Sequence, residues 1–192
     1  MPPVEAPYLP QPASEDKFTL VLDLDETLVH YYELPGQSDG NFRVRPGCIE
    51  FLKEMSQLYE VVIFTAAMQD YADWVLDSVD GKNGYISHRL YRQHATFNNM
   101  VFIKDLSRLG RSLNKTIIID NVAENFCLQP DNGIFIKSWF EDTGDTALYE
   151  LAPLLRQIVE KNVGDVRVAL RKFRDQMMEQ LQNGVQNPVL SL

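Results

Sequence analysis

The sequence predicts an α/β fold: a central parallel sheet with helices on both faces and no separate cap domain. Three observations carry this. Four short apolar runs of strand length, at residues 18–22, 60–64, 116–120 and 133–136, lack the strict alternation of half-exposed strands, as buried parallel strands do. Between them lie stretches whose apolar residues recur at helical spacing. Three of the runs also lead into polar residues: Asp23 and Asp25, Thr65, and Asp120 with Asn121. Ligands of open parallel sheets bind outside the carboxyl ends of the strands, so these side chains are expected along one edge.

The elements follow in order. Residues 1–16, MPPVEAPYLPQPASED, read as a flexible lead-in, because they lack the basic start and apolar stretch of a signal peptide. Residues 17–165 make the domain, and 166–192 a C-terminal helix and tail. After the first strand and its DLDET, residues 31–41 form a variable polar loop containing Pro35, Gly36 and Gly40. Arg45-Pro46-Gly47 introduces a helix to about Leu58, with Ile49, Phe51, Leu52 and Met55 on one side. The strand at 60–64 runs into Thr65-Ala66-Ala67. A helix over 69–79 carries Tyr71, Trp74, Val75 and Leu76 and stops at the turn-forming DGKNG. Residues 88–92 and 100–103 read as strands with a turn at Asn98-Asn99, and a short helical stretch from Lys104 ends before Lys115. The strands at 116–120 and 133–136 precede a helix over 146–161. A last helix, 166–181, has Val166, Leu170, Phe173, Met177 and Leu181 as an apolar stripe expected to pack on the domain.

At 192 residues, with 45% apolar and 23% charged, the chain suits one domain with a real core. A net charge of −9 disfavours a nucleic-acid backbone as partner. It also repels phosphorylated substrates at long range, so a phosphate site here needs local positive charge or a metal. No apolar run approaches the roughly 18 residues that span a bilayer. Cys48 and Cys127 sit in apolar segments without CxxC spacing and read as reduced core residues of an intracellular protein, in nucleus or cytoplasm, with membrane association through segments outside this chain left open.

Asp23 and Asp25 stand two apart in an extended segment, so both carboxylates can face one pocket. Two acids that close repel unless a cation lies between them, and Mg²⁺ favours carboxylate oxygens while keeping positions for water and phosphate. A lone DxD is equally a strand ending in solvated acids. The remaining residues shift that balance. Asp23 can attack phosphorus as a carboxylate nucleophile, and Asp25 can protonate the leaving alkoxide and then take a proton from water. Thr65 offers a hydroxyl, and the loop amide after it, at Ala66, a further donor to phosphate oxygens. Lys104 supplies a cation to the transferring group, and Asp120 and Asn121 complete a metal site. Each has a plain alternative: a strand-end cap, a surface lysine, a turn acid. All of them coinciding at matching strand ends argues for a site.

DLDETLVH, VVIFTAA, IKDLSRLGR, TIIIDN and IKSWFEDTGDTAL resemble the haloacid-dehalogenase (HAD) phosphatases of the FCP1-homology branch. Within it they resemble the NLI-interacting-factor-like small C-terminal-domain phosphatases and the Dullard-type relatives. The likeness runs from about Phe18 to Val166. It implies a Rossmann-like fold and Mg²⁺-dependent dephosphorylation of protein serine or threonine through an aspartyl-phosphate. RNA polymerase II C-terminal-domain-like phosphopeptides are among the substrates implied. It also implies Asp23 as nucleophile and metal ligand, Asp25 as acid/base with its backbone carbonyl on the metal, Asn121 on the metal, and Asp120 nearby or bridged by water. Thr65 and Lys104 would hold the phosphate, and Arg92, in RLYRQH, matches the arginine beside it.

Where relatives commonly read Asp-Asn-Ser-Pro, this chain has Asp120-Asn121-Val122-Ala123, so a site loop has lost a hydroxyl and a stiffening proline. The intervals from Asp25 to Thr65 and from Thr65 to Lys104 are filled by expected helices and strands. No lid domain fits, and an open site suits phosphoproteins better than small metabolites. A binding module on the same fold, as in the mitochondrial import-translocase relative, is the rival reading, but recognition alone does not require Asp23, Asp25, Thr27 and Lys104 together.

Overall fold

A computed structural model describes residues 4–36 and 40–184. Five parallel strands form the central sheet: β1 (Phe18–Leu22), β4 (Tyr59–Phe64), β5 (His88–Leu90), β8 (Thr116–Asp120) and β9 (Gly133–Phe135), in the order β5-β4-β1-β8-β9. The central strand β1 is buried along its length, which is why FTLVL is apolar without alternation. Four α-helices connect or close the sheet: α1 (Cys48–Leu58), α2 (Gln69–Val79), α3 (Ala147–Glu160) and α4 (Val166–Gln182).

Strand alternation divides the core in two. Leu20, Leu22, Val61, Ile63, Ile117 and Ile119 face one way and pack on the buried stripes of all four helices. Val21, Val62, Phe64, Leu90 and Ile118 face the other way. The second face is covered by 3-10 turns, through Leu106, Leu109 and Phe126, and by Leu9. The helices expected on both faces are therefore α-helices on one face and single 3-10 turns on the other. The cause is connectivity. The chain steps outward through α1 and α2, then returns across the sheet to β8, and right-handed crossovers in opposite directions lie on opposite faces.

Three local expectations change. The polar loop expected over 31–41 is largely a hairpin, β2 (Val29–Glu33) with β3 (Gly40–Val44). VHYYE is rich in β-branched and aromatic residues, and Gly40 faces Tyr31 so closely that a methyl group there would overlap its ring. The middle of that loop, residues 37–39, lies outside the described residues. Residues 88–92 and 100–103 do not pair with each other. β5 joins the central sheet, while β6 (Thr96–Asn98) pairs with β7 (Val101–Ile103) around a turn at Asn99 and Met100, both with positive φ, not at Asn98-Asn99. The lead-in also lies docked on the domain. The Tyr8 and Leu9 amides donate to the Arg108 and Leu109 carbonyls at 2.9 and 3.2 Å, and Leu9 is buried in the second core. An apolar side chain among polar neighbours supplies the driving force. Residues 1–3, at its start, are outside the described range.

The last helix behaves as its stripe predicts at its start and less so at its end. Val166 and Leu170 are buried, Phe173 packs at the core's edge, and Leu181 is exposed. The expected tail over 185–192 lies outside the described residues. Of the two cysteines expected in the core, Cys48 is buried but Cys127, at the end of a 3-10 turn, is exposed. Among the described residues no helix is long and apolar enough to cross a membrane.

Candidate active site

The site begins where β1 runs out. The Asp23 amide donates to the Ile119 carbonyl at 3.0 Å, extending the β1–β8 ladder one residue past the strand. The chain then turns back, with the Leu24 carbonyl accepting from the amides of Thr27, Leu28 and Val29. Glu26 takes a left-handed φ of 59° to close this turn. Leu24 and Leu28 are wholly buried and anchor it. DLDET is thus a rigid corner that leaves its acids at the sheet edge.

Lys104 is the centre of the polar cluster. Its backbone is fixed by the Asn125 carbonyl, 2.7 Å from its amide. Its ammonium is wholly buried, donating to Asp23 Oδ1 at 2.7 Å and Asp120 Oδ2 at 2.6 Å. Burial would lower this ammonium's pKa, but the Asp23 and Asp120 charges outweigh burial and hold it above its ordinary value. Asp120 is also wholly enclosed, accepting from the Val122 amide and the Asn125 side chain. Burial and then the Asp23 charge push the Asp120 carboxyl upward against Lys104's opposing effect. Its oxygens are committed to protein donors.

The other Asp23 oxygen, Oδ2, accepts from the Thr27 hydroxyl at 2.9 Å, and the same hydroxyl lies 3.4 Å from Asn121 Oδ1. Asn121 is oriented from behind, its amide donating to Ser138 Oγ at 2.9 Å. A hydroxyl thus reaches this loop from Ser138, although Val122 itself carries none. Asp23 Oδ2 and Asn121 Oδ1 both lie within reach of the Thr27 hydroxyl, and they are hard oxygen donors of the kind Mg²⁺ takes. Among the described residues no three His, Cys, Asp or Glu side chains are close enough to hold a metal alone. A cation here would complete its shell with water and phosphate, as Mg²⁺ commonly does.

Asp25, half-buried beside these groups, accepts from the Tyr71 hydroxyl at 2.5 Å. Burial drives its carboxyl above the ordinary range, the Tyr71 hydrogen bond pulls it back, and the Asp23 charge adds to the rise. Glu26 is pushed up to about 7 by burial, then by Asp25 and Asp23. The corner therefore holds more acids than it can keep ionised without a cation.

Thr65, Ala66 and Arg92 form a second group at the end of β4. The Thr65 amide donates to the Leu90 carbonyl at 2.9 Å, and its hydroxyl oxygen accepts from the Ala67 amide at 3.0 Å. That leaves the hydroxyl proton to donate. Arg92 Nε donates to the Ala66 carbonyl at 2.6 Å and its amide to the Ala67 carbonyl at 3.1 Å, so the guanidinium is tied to the Thr65 loop. The adjacency of β1 and β4, not a direct bond between the described side chains, brings the two groups together.

Several contributors were not singled out from sequence. Tyr71 read only as a residue of its helix, and Arg45 only as part of a helix start. Arg45 is wholly buried, donates to the Thr27 carbonyl at 3.1 Å, and grips Asp145 through Nε at 2.7 Å and Nη2 at 2.9 Å. The Trp139 amide holds the Glu26 carbonyl at 2.8 Å. The pairing of Arg45 with Asp145 bridges a hundred positions, beyond what local spacing signals.

Residues 18–167 match the model of the family described as NLI interacting factor-like phosphatase. The chain belongs to this family. It is 42% identical over 188 residues to "CTD small phosphatase-like protein 2" of Dictyostelium discoideum, covering 90% of this chain and 32% of that protein. It is 39% identical over 173 residues to the human "Carboxy-terminal domain RNA polymerase II polypeptide A small phosphatase 1", covering 83% of this chain and 65% of the relative. The chain thus spans about a third of the first relative's length and just under two thirds of the second's. Among solved structures, Fcp1, described as an essential RNA polymerase II CTD phosphatase, superposes with a TM-score of 0.64 at 16% identity, covering 91% of this chain and 68% of that one. This likeness establishes the HAD-type fold.

Proposed function

We propose that this chain is a Mg²⁺-dependent phosphoserine/phosphothreonine protein phosphatase working through an aspartyl-phosphate on Asp23. The observation that carries the reading is the Lys104 ammonium, wholly buried between Asp23 and Asp120 at the open edge of the sheet. Buried ion clusters are poor sources of stability, and a strongly perturbed cluster in a cleft is better explained by chemistry.

The residues divide the work as follows. An Asp23 oxygen attacks phosphorus as the seryl or threonyl O–P bond breaks, and the protonated Asp25 carboxyl gives its proton to the departing alkoxide. Water then attacks the aspartyl-phosphate, Asp25 takes its proton, and phosphate leaves with Asp23 regenerated. The raised Asp25 carboxyl suits the first step, since a carboxylic acid must survive near neutral pH to donate. Lys104, Thr65 and the Ala66 amide hold the phosphoryl oxygens, with Arg92 beside them. Asp23, the Asp25 carbonyl and Asn121 would hold Mg²⁺, with Asp120 behind them or reached through water. The metal supplies neutralisation of the charge on the transferring group.

The substrate is a phosphorylated protein. The human relative's name makes the RNA polymerase II C-terminal domain the first candidate, which would place the protein in the nucleus. Among the described residues, the intervals between site residues hold two small hairpins and no lid, which suits a protein segment as substrate. Hydrolysis of an aryl phosphate and of a phosphoserine peptide tests the reading. Wild-type protein with Mg²⁺ turns over both, EDTA stops turnover, and Asp23→Asn abolishes it while keeping the fold. Equal turnover by Asp23→Asn and wild type sinks the nucleophile assignment.

A further inference from the structure

The chain holds ten arginines and 27 acidic residues. Eight arginines, at 43, 45, 89, 111, 156, 167, 171 and 174, each have a carboxylate within ion-pair distance. Arg92 and Arg108 have no such partner among the described residues. They line the same cavity, of about 350 Å³, together with Tyr8, His94, Phe97 and Phe102. In an acidic protein, two arginines in one cavity with no carboxylate at ion-pair distance, though Arg108 feels the nearby Asp105 charge, form a local exception to the field.

The geometry keeps both guanidiniums in place. Arg92 lies over the Phe102 ring, 5.0 Å from its centroid, while its Nε is held by the Ala66 carbonyl. Arg108 lies over the Tyr8 ring at 5.3 Å and donates to the Tyr8 hydroxyl and the Val4 carbonyl. Its neighbour Asp105 turns its Oδ1 to Ser107 and Gln129 instead. Stacked arginines present preorganised donors to a planar or tetrahedral anion. Phe97, 57% exposed and packed on Phe102, adds an apolar wall for the stem of a side chain or for backbone.

We propose that this cavity is a second substrate subsite, taking an anionic side chain of the same peptide, a carboxylate or a second phosphate, near the residue being dephosphorylated. The inference rests on the phosphatase reading. It commits to the substrate as occupant because Arg92 belongs both to the cavity and, through Ala66, to the Thr65 loop. An anion bound there is tethered to the peptide whose phosphate lies at Asp23. The N-terminal segment, read from sequence as a loose lead-in, thereby supplies one wall.

The test is a peptide scan. Peptides carry one phosphoserine in a neutral background, with a glutamate or a non-hydrolysable phosphonate placed in turn at each neighbouring position. At one or two positions kcat/KM rises about five- to tenfold over the neutral peptide, the scale of one charge-assisted hydrogen bond. Glutamate and phosphonate at the same position identify which anion is preferred. The gain falls below about twofold in Arg108→Gln and is kept only in part in Arg108→Lys, whose ammonium retains the charge but not the stacked planar donors, each compared with the neutral peptide on the same variant. Tyr8→Phe, which loses only the hydroxyl held by Arg108, keeps the gain; its loss there would assign the effect to the docked segment and overturn the subsite. Equal kcat/KM for all peptides on an active wild-type enzyme overturns the subsite alone. Wild-type protein that hydrolyses neither peptides nor aryl phosphate overturns the phosphatase reading, and the subsite with it.

Discussion

Asp145→Asn isolates the ion pair that supports the DLDET corner. The Arg45 side chain is 0% exposed and the Asp145 side chain 13%, and two hydrogen bonds of 2.7 and 2.9 Å join them. The substitution keeps the shape but leaves a buried guanidinium with no counter-charge. Breaking one partner of a buried pair costs roughly 3–5 kcal/mol, and Asp145's residual exposure puts the expected loss near the lower bound, about 3 kcal/mol. In a domain of this size that is a fall in Tm of roughly 6–12 °C. The pH dependence has a definite sign. The Arg45 hydrogen bonds hold the Asp145 carboxyl below its ordinary value against a smaller effect of burial. Its stabilising contribution is then complete above the unfolded carboxyl's pKa and is lost as pH falls through the lower folded value. The gap in Tm between wild type and Asp145→Asn should stay constant from neutral pH down to about pH 5 and close only below the ordinary carboxylate range. Arg45 also holds the Thr27 carbonyl, so kcat falls with stability even at temperatures where the variant is fully folded. Thermal denaturation over a pH series, with turnover measured below the transition, reads both. A variant whose Tm matches wild type, or a gap that varies between pH 6 and 8, would refute the assigned role.

Three further outcomes are expected. Tyr71→Phe removes the hydrogen bond that favours ionised Asp25, so the alkaline limb of the kcat/KM profile moves to higher pH; a downward shift is the contrary result. Lys104→Met leaves Asp23 and Asp120 buried without a cation, and the Asp120 carboxyl, already raised by burial, rises further above its unfolded value. The variant should lose turnover and be less stable than wild type by more at pH 8 than at pH 5, by chemical denaturation. Leu9→Ala should cost about 2–3 kcal/mol in the same measurement, because Leu9 fills the second core; a loss under about 0.5 kcal/mol would mean that the segment's docking contributes little.

What the sequence revealed follows the range of the forces involved. Four of the five central strands were legible because buried parallel strands impose continuous apolar runs, whereas the edge strand His88–Leu90 is only partly buried and shows no such run. Asp23, Asp25, Thr65, Lys104 and Asp120 were legible because strand ends place polar groups at one edge, and the structure brings Lys104 between Asp23 and Asp120. The hairpin at Val29–Glu33 and Gly40–Val44 was not, because Pro35 and Gly36 dominated its reading. The division of the faces was hidden for another reason. A 3-10 turn covers a sheet with one or two side chains, such as Leu106 and Phe126, too few to show a period.

The support beneath the corner belongs to the same class of hidden feature. IKSWFEDTGDTAL carried the resemblance but no role, since nothing in its spacing points at DLDET more than a hundred residues earlier. In the fold, three of its residues reach that corner by different bonds. Ser138 orients Asn121, the Trp139 amide caps the Glu26 carbonyl, and Asp145 neutralises the arginine that holds Thr27. Glu26 sits in left-handed backbone and Asp23 and Asp25 repel, so the corner by itself is strained and overcharged. Bonds to its carbonyls and to its neighbouring amide lock the geometry without adding another carboxylate to the cluster. That separates two requirements a pair of adjacent acids sets against each other: rigidity, supplied from the far end of the domain, and negative charge, which the supporting bonds neither add to nor neutralise.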